Sequence, residues 1–317
     1  MTFFKTLLLI IRLGRLKFPA IGFLLYSFGF LLGTISSFDF SWNRFILGFI
    51  TSFTANLSVS YSNDYFDVNL DRYGKPTTIS GGSGVLVRHP ELMELSKKLA
   101  EILMGISIIA SIASTIYFSL PLYFPVFVIF ANLLSWYYVA PPLKLAYRGL
   151  SELTVVVAVG LLMPGSGYLM AKKTLDLLFL IFVLPSSLYS LAFIVSVEIP
   201  DLDSDRLGGK NTLIVKKGRC YGFLLIGVLF TLSTLYFLAL SLTNPVSLIN
   251  FRLISIISLI PLSTIIWEFF QLKKRENPLE KAVEQILLAF SVFLFLLDCY
   301  LVIVPSLNAT WNSIHVL

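Results

Sequence analysis

The chain has 317 residues, 56% of them hydrophobic and 13% charged, with a formal net charge of +6 and a mean hydropathy of +0.84. Soluble domains carry about 25% charged residues, and apolar runs of roughly 18 residues or more mark membrane spans, so a large soluble globule is excluded. Two cysteines, Cys220 and Cys299, and two histidines, His89 and His315, offer neither a disulfide framework nor a zinc or thiol site.

The first 17 residues, rich in Phe, Leu, Lys and Arg, read as an amphipathic segment lying at the membrane interface. The run is too short, and too closely followed by basic residues, for a cleaved signal. Apolar runs then predict spans near 18–36, 45–62, 99–118, 122–139, 151–170, 177–197, 221–241, 251–268 and 284–306. The expected fold is therefore all-α, a polytopic bundle of about nine transmembrane helices in a single domain over 1–317.

Charge placement orients the bundle. With the N-terminus inside, twenty of the 24 basic residues fall on the inner side, leaving Arg44, Lys172, Lys173 and Arg252 outside. That asymmetry is the positive-inside pattern. It also accounts for the net charge without a nucleic-acid partner. Two inner connections, at about 63–98 and 198–220, are long and polar, as functional loops often are.

The first of these loops opens on Asn63-Asp64-Tyr65-Phe66-Asp67-Val68-Asn69-Leu70-Asp71. Asn63, Asp67 and Asp71 share a helix face, drifting by ~40° per step. Like charges at this spacing repel, so a cation is expected among them. The second loop carries Glu198-Ile199-Pro200-Asp201-Leu202-Asp203-Ser204-Asp205, in which Glu198, Asp201 and Asp205 again share a face. A solvated acidic loop accounts for one such cluster. It does not account for two with matched spacing on the same side of a membrane.

Hard oxygen ligands without His or Cys suit Mg2+, which binds through a few carboxylates together with substrate phosphates. The predicted metal and catalytic residues are Asn63, Asp64, Asp67, Asp71, Asp201 and Asp205. Metal ions held there would bridge the protein to a diphosphate and stabilise it as a leaving group. Arg72, Lys75, Lys144 and Lys210 are candidate diphosphate contacts, although the positive-inside pattern alone also puts basic residues here. Tyr138 and Tyr147, with Tyr65 and Tyr137, lie close enough to flank a developing cation, and Glu198 is a further substrate-side candidate. Gly81-Gly82-Ser83-Gly84 reads as a phosphate nest or as a plain flexible loop. Asp298, inside the last span and far from both clusters, has no assigned role.

These motifs resemble those of the UbiA superfamily of intramembrane prenyltransferases. Asn63, Asp67 and Asp71 match its N-x-x-x-D-x-x-x-D motif, with Asp64 at the common extra position, and Asp201 and Asp205 match its D-x-x-x-D motif. The stretch from Tyr138 through Pro141, Pro142, Lys144 and Tyr147 to Glu152 is similar to the family's segment after the fourth helix. Gly209-Lys210-Asn211-Thr212-Leu213 is similar to the segment after the second motif. The resemblance runs from about 10 to 305. It implies nine helices around a central lipid-open cavity, Mg2+, an isoprenoid diphosphate donor and an acceptor drawn from the membrane. The family's usual Arg-Pro pair is missing near the start, where the sequence reads Arg12-Leu13-Gly14-Arg15, so the corresponding arginine is not assigned. Within the family, Asn63–Asp67 and Gly81–Val85 look most like enzymes that prenylate 1,4-dihydroxy-2-naphthoate for menaquinone. Enzymes that prenylate a glycerol-phosphate ether lipid, such as digeranylgeranylglyceryl phosphate synthase, share the first motif.

A reading of another class is a transporter with acidic ion sites. It expects broken or charged segments near the bilayer midplane, whereas here the acids sit at helix ends.

Overall fold

The structure is a computed structural model that describes residues 3–35, 40–74, 81–274 and 278–315, with backbone only for 272–274 and 305–315. Lys75 lies outside the described residues. Among the described residues there is no β-strand.

The chain begins with α1 (Phe3–Leu13), whose Phe3, Phe4, Leu7, Leu8 and Ile11 form an exposed apolar stripe, while Leu13 is buried. Tyr61 donates a hydrogen bond to the Ile10 carbonyl at 3.1 Å and pins this helix against the bundle. The first long helices are α2 (Lys17–Thr34) and α3 (Trp42–Phe66), followed by the short α4 (Val68–Asp71) and α5 (Val85–Arg88). Next come α6 (Met93–Phe118) and α7 (Tyr123–Trp136). The fifth span starts as α8 (Ser151–Val155), passes through a π-helical stretch at Val156–Leu162 and ends as α9 (Met163–Lys172). The sixth is α10 (Leu177–Gly208). After the short α11 (Leu213–Lys217) come α12 (Arg219–Thr243), the pair α13 (Phe251–Ile257) and α14 (Leu259–Lys274), and α15 (Leu279–His315).

Among the described residues, these helices coincide with the nine predicted spans. Seven of the segments are long and apolar enough to cross a membrane, and α7 is a shorter apolar helix. The second span, α3, is long enough at 25 residues but carries Thr51, Ser52, Thr54, Asn56, Ser58, Ser60 and Ser62 along its length. The outer faces of the other helices expose Ile109, Ile116, Leu180, Leu235 and Val302. A monomeric soluble protein does not expose apolar surface on this scale.

Between helices the chain uses small and polar residues, since lipid gives no hydrophobic drive for association. Ser96 and Ser107 of α6 donate to the carbonyls of Tyr61 and Thr51 on α3 at 3.0 and 2.9 Å, and Asn132 of α7 donates to Ser107 at 3.1 Å. On the other side of the bundle, Tyr189 of α10 stacks on Phe293 of α15 with ring centroids 4.6 Å apart. The 32 residues of α10 give a length of about 48 Å, against a hydrocarbon core of about 30 Å. The surplus carries Glu198–Asp205 beyond the apolar layer at one end.

Glycines let the backbones of α2 and α9 come close together. A Cβ placed on Gly29 would overlap the carbonyl oxygen of Pro164. Gly29→Ala therefore forces α2 away from α9, and overpacking of this kind costs about 3 kcal/mol. The expected result is a lower melting temperature for the purified variant; an unchanged melting temperature would show that the two helices are not seated this closely.

Candidate active site

The last turn of α3 leads into α4, and together they place Asn63, Asp64, Asp67 and Asp71 along one wall of a polar cleft of about 110 Å³. The opposite wall is the end of α10, with Glu198, Asp201 and Asp205. The two acidic motifs, about 130 residues apart in sequence, thus face each other at one end of the bundle. Gly209 closes α10 in the left-handed conformation, and the chain folds back so that Lys210 enters between the walls. Its Nζ lies 2.8 Å from Asp67 Oδ2 and 3.6 Å from Asp205 Oδ1. Burial works against the charge on Lys210, but Asp67 and Asp205 outweigh it and hold its pKa well above the ordinary lysine value.

The remaining acids are crowded. Burial, then the neighbouring charges of Asp64 and Asp67, push the Asp71 carboxyl up to about 8. Tyr147 donates a 2.7 Å hydrogen bond to Asp67 Oδ1. Burial and the Asp67 carboxylate both raise the Tyr147 phenol, so it stays a donor.

The glycine-rich loop folds over this wall. Ser83 donates from both its backbone N–H and its hydroxyl to the Asp64 carboxylate. A phosphate nest needs that N–H, so the loop acts here as a buttress for the acids. Gly82, at φ +65°, passes so close to Asp71 that any Cβ would strike its carboxylate.

Of the described basic residues suggested by sequence, Lys210 lines the cleft and the other two do not. Arg72 and Lys144 are exposed and lie outside the lining, with Lys144 Nζ 5.2 Å from the centroid of the Tyr147 ring. Arg15, left unassigned in the sequence, does line the cleft. It sits in a left-handed turn between α1 and α2, with φ 44°, and brings a positive charge to the wall that carries Asp64 and Asp71.

Beyond the cleft a largely apolar cavity of about 260 Å³ runs between α2, α3, α7, the π-helical stretch and α10. Arg15, Asn63, Tyr138, Ile194 and Val197 line both spaces, so the acids stand at the mouth of the apolar chamber. Along α3 the chamber extends from Asn63 to Thr51 and Ser52, about 16 Å at the helical rise. There Ser52 and Ser166 close it with a 3.0 Å hydrogen bond. The π-helical stretch turns Ala158, Val159 and Leu162 into the same space.

The residues present fit Mg2+. Their donors are hard oxygens, the negative charge is in excess, and Asn63 Oδ1 is buried with no donor of its own. Among the described residues, no three acidic groups already converge as a ready-made metal site. Lys210 takes the space between Asp67 and Asp205, and Ser83 engages Asp64. Ligands from a bound phosphate would therefore have to complete any coordination shell, as is usual for this ion.

The helical membrane bundle thus sets paired acidic helix ends at the mouth of an apolar chamber. The chain belongs to the UbiA prenyltransferase family, whose model matches residues 22–297, and is thus an integral, multi-pass membrane prenyltransferase that moves a prenyl group to an acceptor. It is similar to a curated 1,4-dihydroxy-2-naphthoate octaprenyltransferase of Haemophilus influenzae, with 29% identity over 105 residues. That match spans only about a third of each protein, 33% of this chain and 34% of the relative. Among solved structures, a UbiA homologue from Archaeoglobus fulgidus bound to GPP and Mg2+ superposes with a TM-score of 0.71 at 17% identity, covering 94% of this chain and 99% of that one. A digeranylgeranylglyceryl phosphate synthase gives 0.61 at 16% identity over 94% and 99%. An apo homologue from Aeropyrum pernix gives 0.64 at 15% identity over 88% and 98%. These structural likenesses establish the shared fold. The transporter reading falls with the family assignment.

Asp71 yields a prediction for the metal-free protein. Its folded pKa of about 8 stands far above the unfolded value of about 3.9, so folding favours its neutral form. Stability is then lost as pH rises from about 4 to about 8. Asp71→Asn removes that loss. In chelator, the variant should melt several degrees above the parent at pH 9 and close to it at pH 4. Equal melting at both values would contradict the burial of this carboxyl.

Proposed function

We propose that the chain transfers a prenyl group from an isoprenoid diphosphate to an electron-rich aromatic acceptor of the dihydroxynaphthoate kind, for quinone biosynthesis, with the cleft on the cytoplasmic side and the N-terminus inside. The observation that carries this reading is the junction of the two cavities. A charged head fits among Lys210, Arg15 and the acids, while an apolar tail fits the chamber behind them.

Asn63, Asp64, Asp67, Asp71, Asp201 and Asp205 are the groups that would hold Mg2+. When bound there, the ion supplies charge compensation for a departing diphosphate. Lys210 and Arg15 add positive charge at the same place, and Lys210 is preorganised by burial and by its two carboxylate neighbours. Tyr147 orients Asp67 through its hydrogen bond. The walls of the chamber exclude water, which protects an allylic cation from hydrolysis, and Tyr138 presents its ring at the mouth.

The acceptor follows from the chamber's charge. Among the described residues lining it, Arg15 is the one that carries a charge, and the polar remainder is neutral, Asn56, Ser52, Asn132 and Ser135 among them. That set suits an aromatic ring with hydroxyl groups and at most one carboxylate. It offers little to the phosphate of a glycerol-phosphate lipid. The partial match to the naphthoate enzyme points the same way, and exposed apolar α1 supports seating on the inner leaflet.

The test is turnover by purified protein in lipid with Mg2+, geranylgeranyl diphosphate and a panel of acceptors: dihydroxynaphthoate, hydroxybenzoate and a prenylated glycerol phosphate. The expected result is Mg2+-dependent diphosphate release with one prenylated aromatic product. Asp67→Ala and Lys210→Ala should each lower the rate by at least about 10²-fold in protein that still folds, with a lower melting temperature for Lys210→Ala, which leaves Asp67 and Asp205 without their cation. A near-normal rate for Asp67→Ala would overturn the metal assignment, and product from the glycerol phosphate alone would overturn the acceptor.

A further inference from the structure

Behind the mouth of the chamber lies a buried polar chain that leads away from it. Tyr138 lines both cavities, and its hydroxyl lies 2.8 Å from Ser151 Oγ. Ser151, fully buried, donates in turn to Glu198 Oε1 at 2.6 Å. A serine has one proton to give. With that proton committed to Glu198, the Tyr138 hydroxyl is the donor to Ser151, and the phenolic oxygen keeps its lone pairs for a further donor. The three groups are therefore aligned in one sense, from the chamber mouth to a carboxyl.

The far end of the chain is built to hold protons. Glu198 is 4% exposed, and its Oε2 has no donor. The Glu152 carboxyl of α8 reaches the same group and also accepts from the Leu213 N–H. Glu198 thus has one oxygen taken by Ser151 and a second, buried oxygen with no donor, which is open to an arriving proton. Glu198 also lines the polar cleft, so a proton that arrives there has a way out that does not pass through the chamber. Neither the binding of a diphosphate head nor the seating of a prenyl tail calls for this arrangement.

Prenyl transfer does call for it. As an electron-rich acceptor attacks, a carbon–carbon bond forms to C1 of the donor. The C1–O bond breaks and its electron pair leaves with diphosphate. The acceptor's hydroxyl O–H breaks, its electron pair stays on the acceptor, and one proton has to go to a base. Apart from Arg15, the chamber's lining has no ionisable group except Tyr138. Resting on the prenyl-transfer reading above, we propose that Tyr138, Ser151 and Glu198 form the proton exit of this enzyme. Tyr138 receives the acceptor's proton on its oxygen while its own passes to Ser151, and the Ser151 proton passes to Glu198. Tyr138 is then a catalytic residue, and Ser151 and Glu198 act through it.

Single-turnover product formation in H2O and D2O tests the path, using Tyr138→Phe, Ser151→Ala, Ser151→Thr, Glu198→Gln and the double variant Ser151→Ala/Glu198→Gln. Loss of a general base costs about 10²-fold or more. The expected result is a loss of that size in Tyr138→Phe, Ser151→Ala and Glu198→Gln, with recovery in Ser151→Thr, which keeps the hydroxyl. The double variant should be no slower than its slower parent, because one cut already breaks the chain. The solvent deuterium effect of the wild type should change in the cut variants, while the affinity for prenyl diphosphate does not. Wild-type rates in Ser151→Ala and Glu198→Gln, or slowed rates with the wild-type deuterium effect and additive losses, would overturn the path and leave the prenyl-transfer reading intact. A wild-type protein that transfers no prenyl group to any acceptor would overturn both.

Discussion

The ammonium of Lys210 between Asp67 and Asp205 is the interaction on which the site depends. Helices α3 and α10 each end in a row of carboxyls, and without a cation between them those rows would repel each other in a place that water barely reaches. Lys210 supplies that cation from the chain itself, held at 2.8 Å from Asp67. The geometry around it is cooperative. Gly209 turns the chain at the end of α10, Tyr147 fixes the other oxygen of Asp67, and the Ser83 loop takes up Asp64. Tyr147 and Ser83 each engage an acid that Lys210 alone would otherwise have to balance, and Asp71, which neither serves, is pushed up to about 8 by burial and by its acidic neighbours.

The bundle exists to hold that arrangement at the edge of a dry space. Polar α3 would be a poor membrane span alone, but its serines and threonines bond their own helix carbonyls or line the chamber, while serines of α6 donate to its backbone carbonyls. The close seating of α2 on α9 and the π-helical stretch at Val156–Leu162 shape the chamber's walls. Helix α10 is long enough to line both the chamber and the cleft, with Ile194 and Val197 at the junction and the carboxyls one to two turns further on.

Much of this could be read from the sequence, and the misses have physical causes. Apolar runs locate the spans because a bilayer imposes one length and one polarity on each. The two acidic motifs stand out because helical spacing puts their carboxyls on one face, and repulsion there demands a reason. Basic residues were harder. Arg72 and Lys144 satisfy the positive-inside pattern as well as Lys210 does, and only the fold shows that Lys210 turns inward while the other two face out. Arg15 joins the site through a left-handed turn that no local spacing announces. The Tyr138–Ser151–Glu198 chain links residues 47 positions apart at its last step, and a lone serine at a helix start looks like nothing more than a cap. The π-helical stretch has no sequence signal comparable to a proline.

In the proposed reaction both acidic motifs grip one diphosphate head with its tail in the chamber. The most direct measurement is an experimental structure with a non-hydrolysable prenyl thiodiphosphate and Mn2+ in place of Mg2+, the metal located by its anomalous signal. The expected result is metal between the ends of α3 and α10, Lys210 moved onto phosphate oxygen, and the tail running past Asn63 and Asn56 toward Ser52. Metal on one motif alone, or a tail lying outside the chamber against the lipid-facing helices, would contradict it.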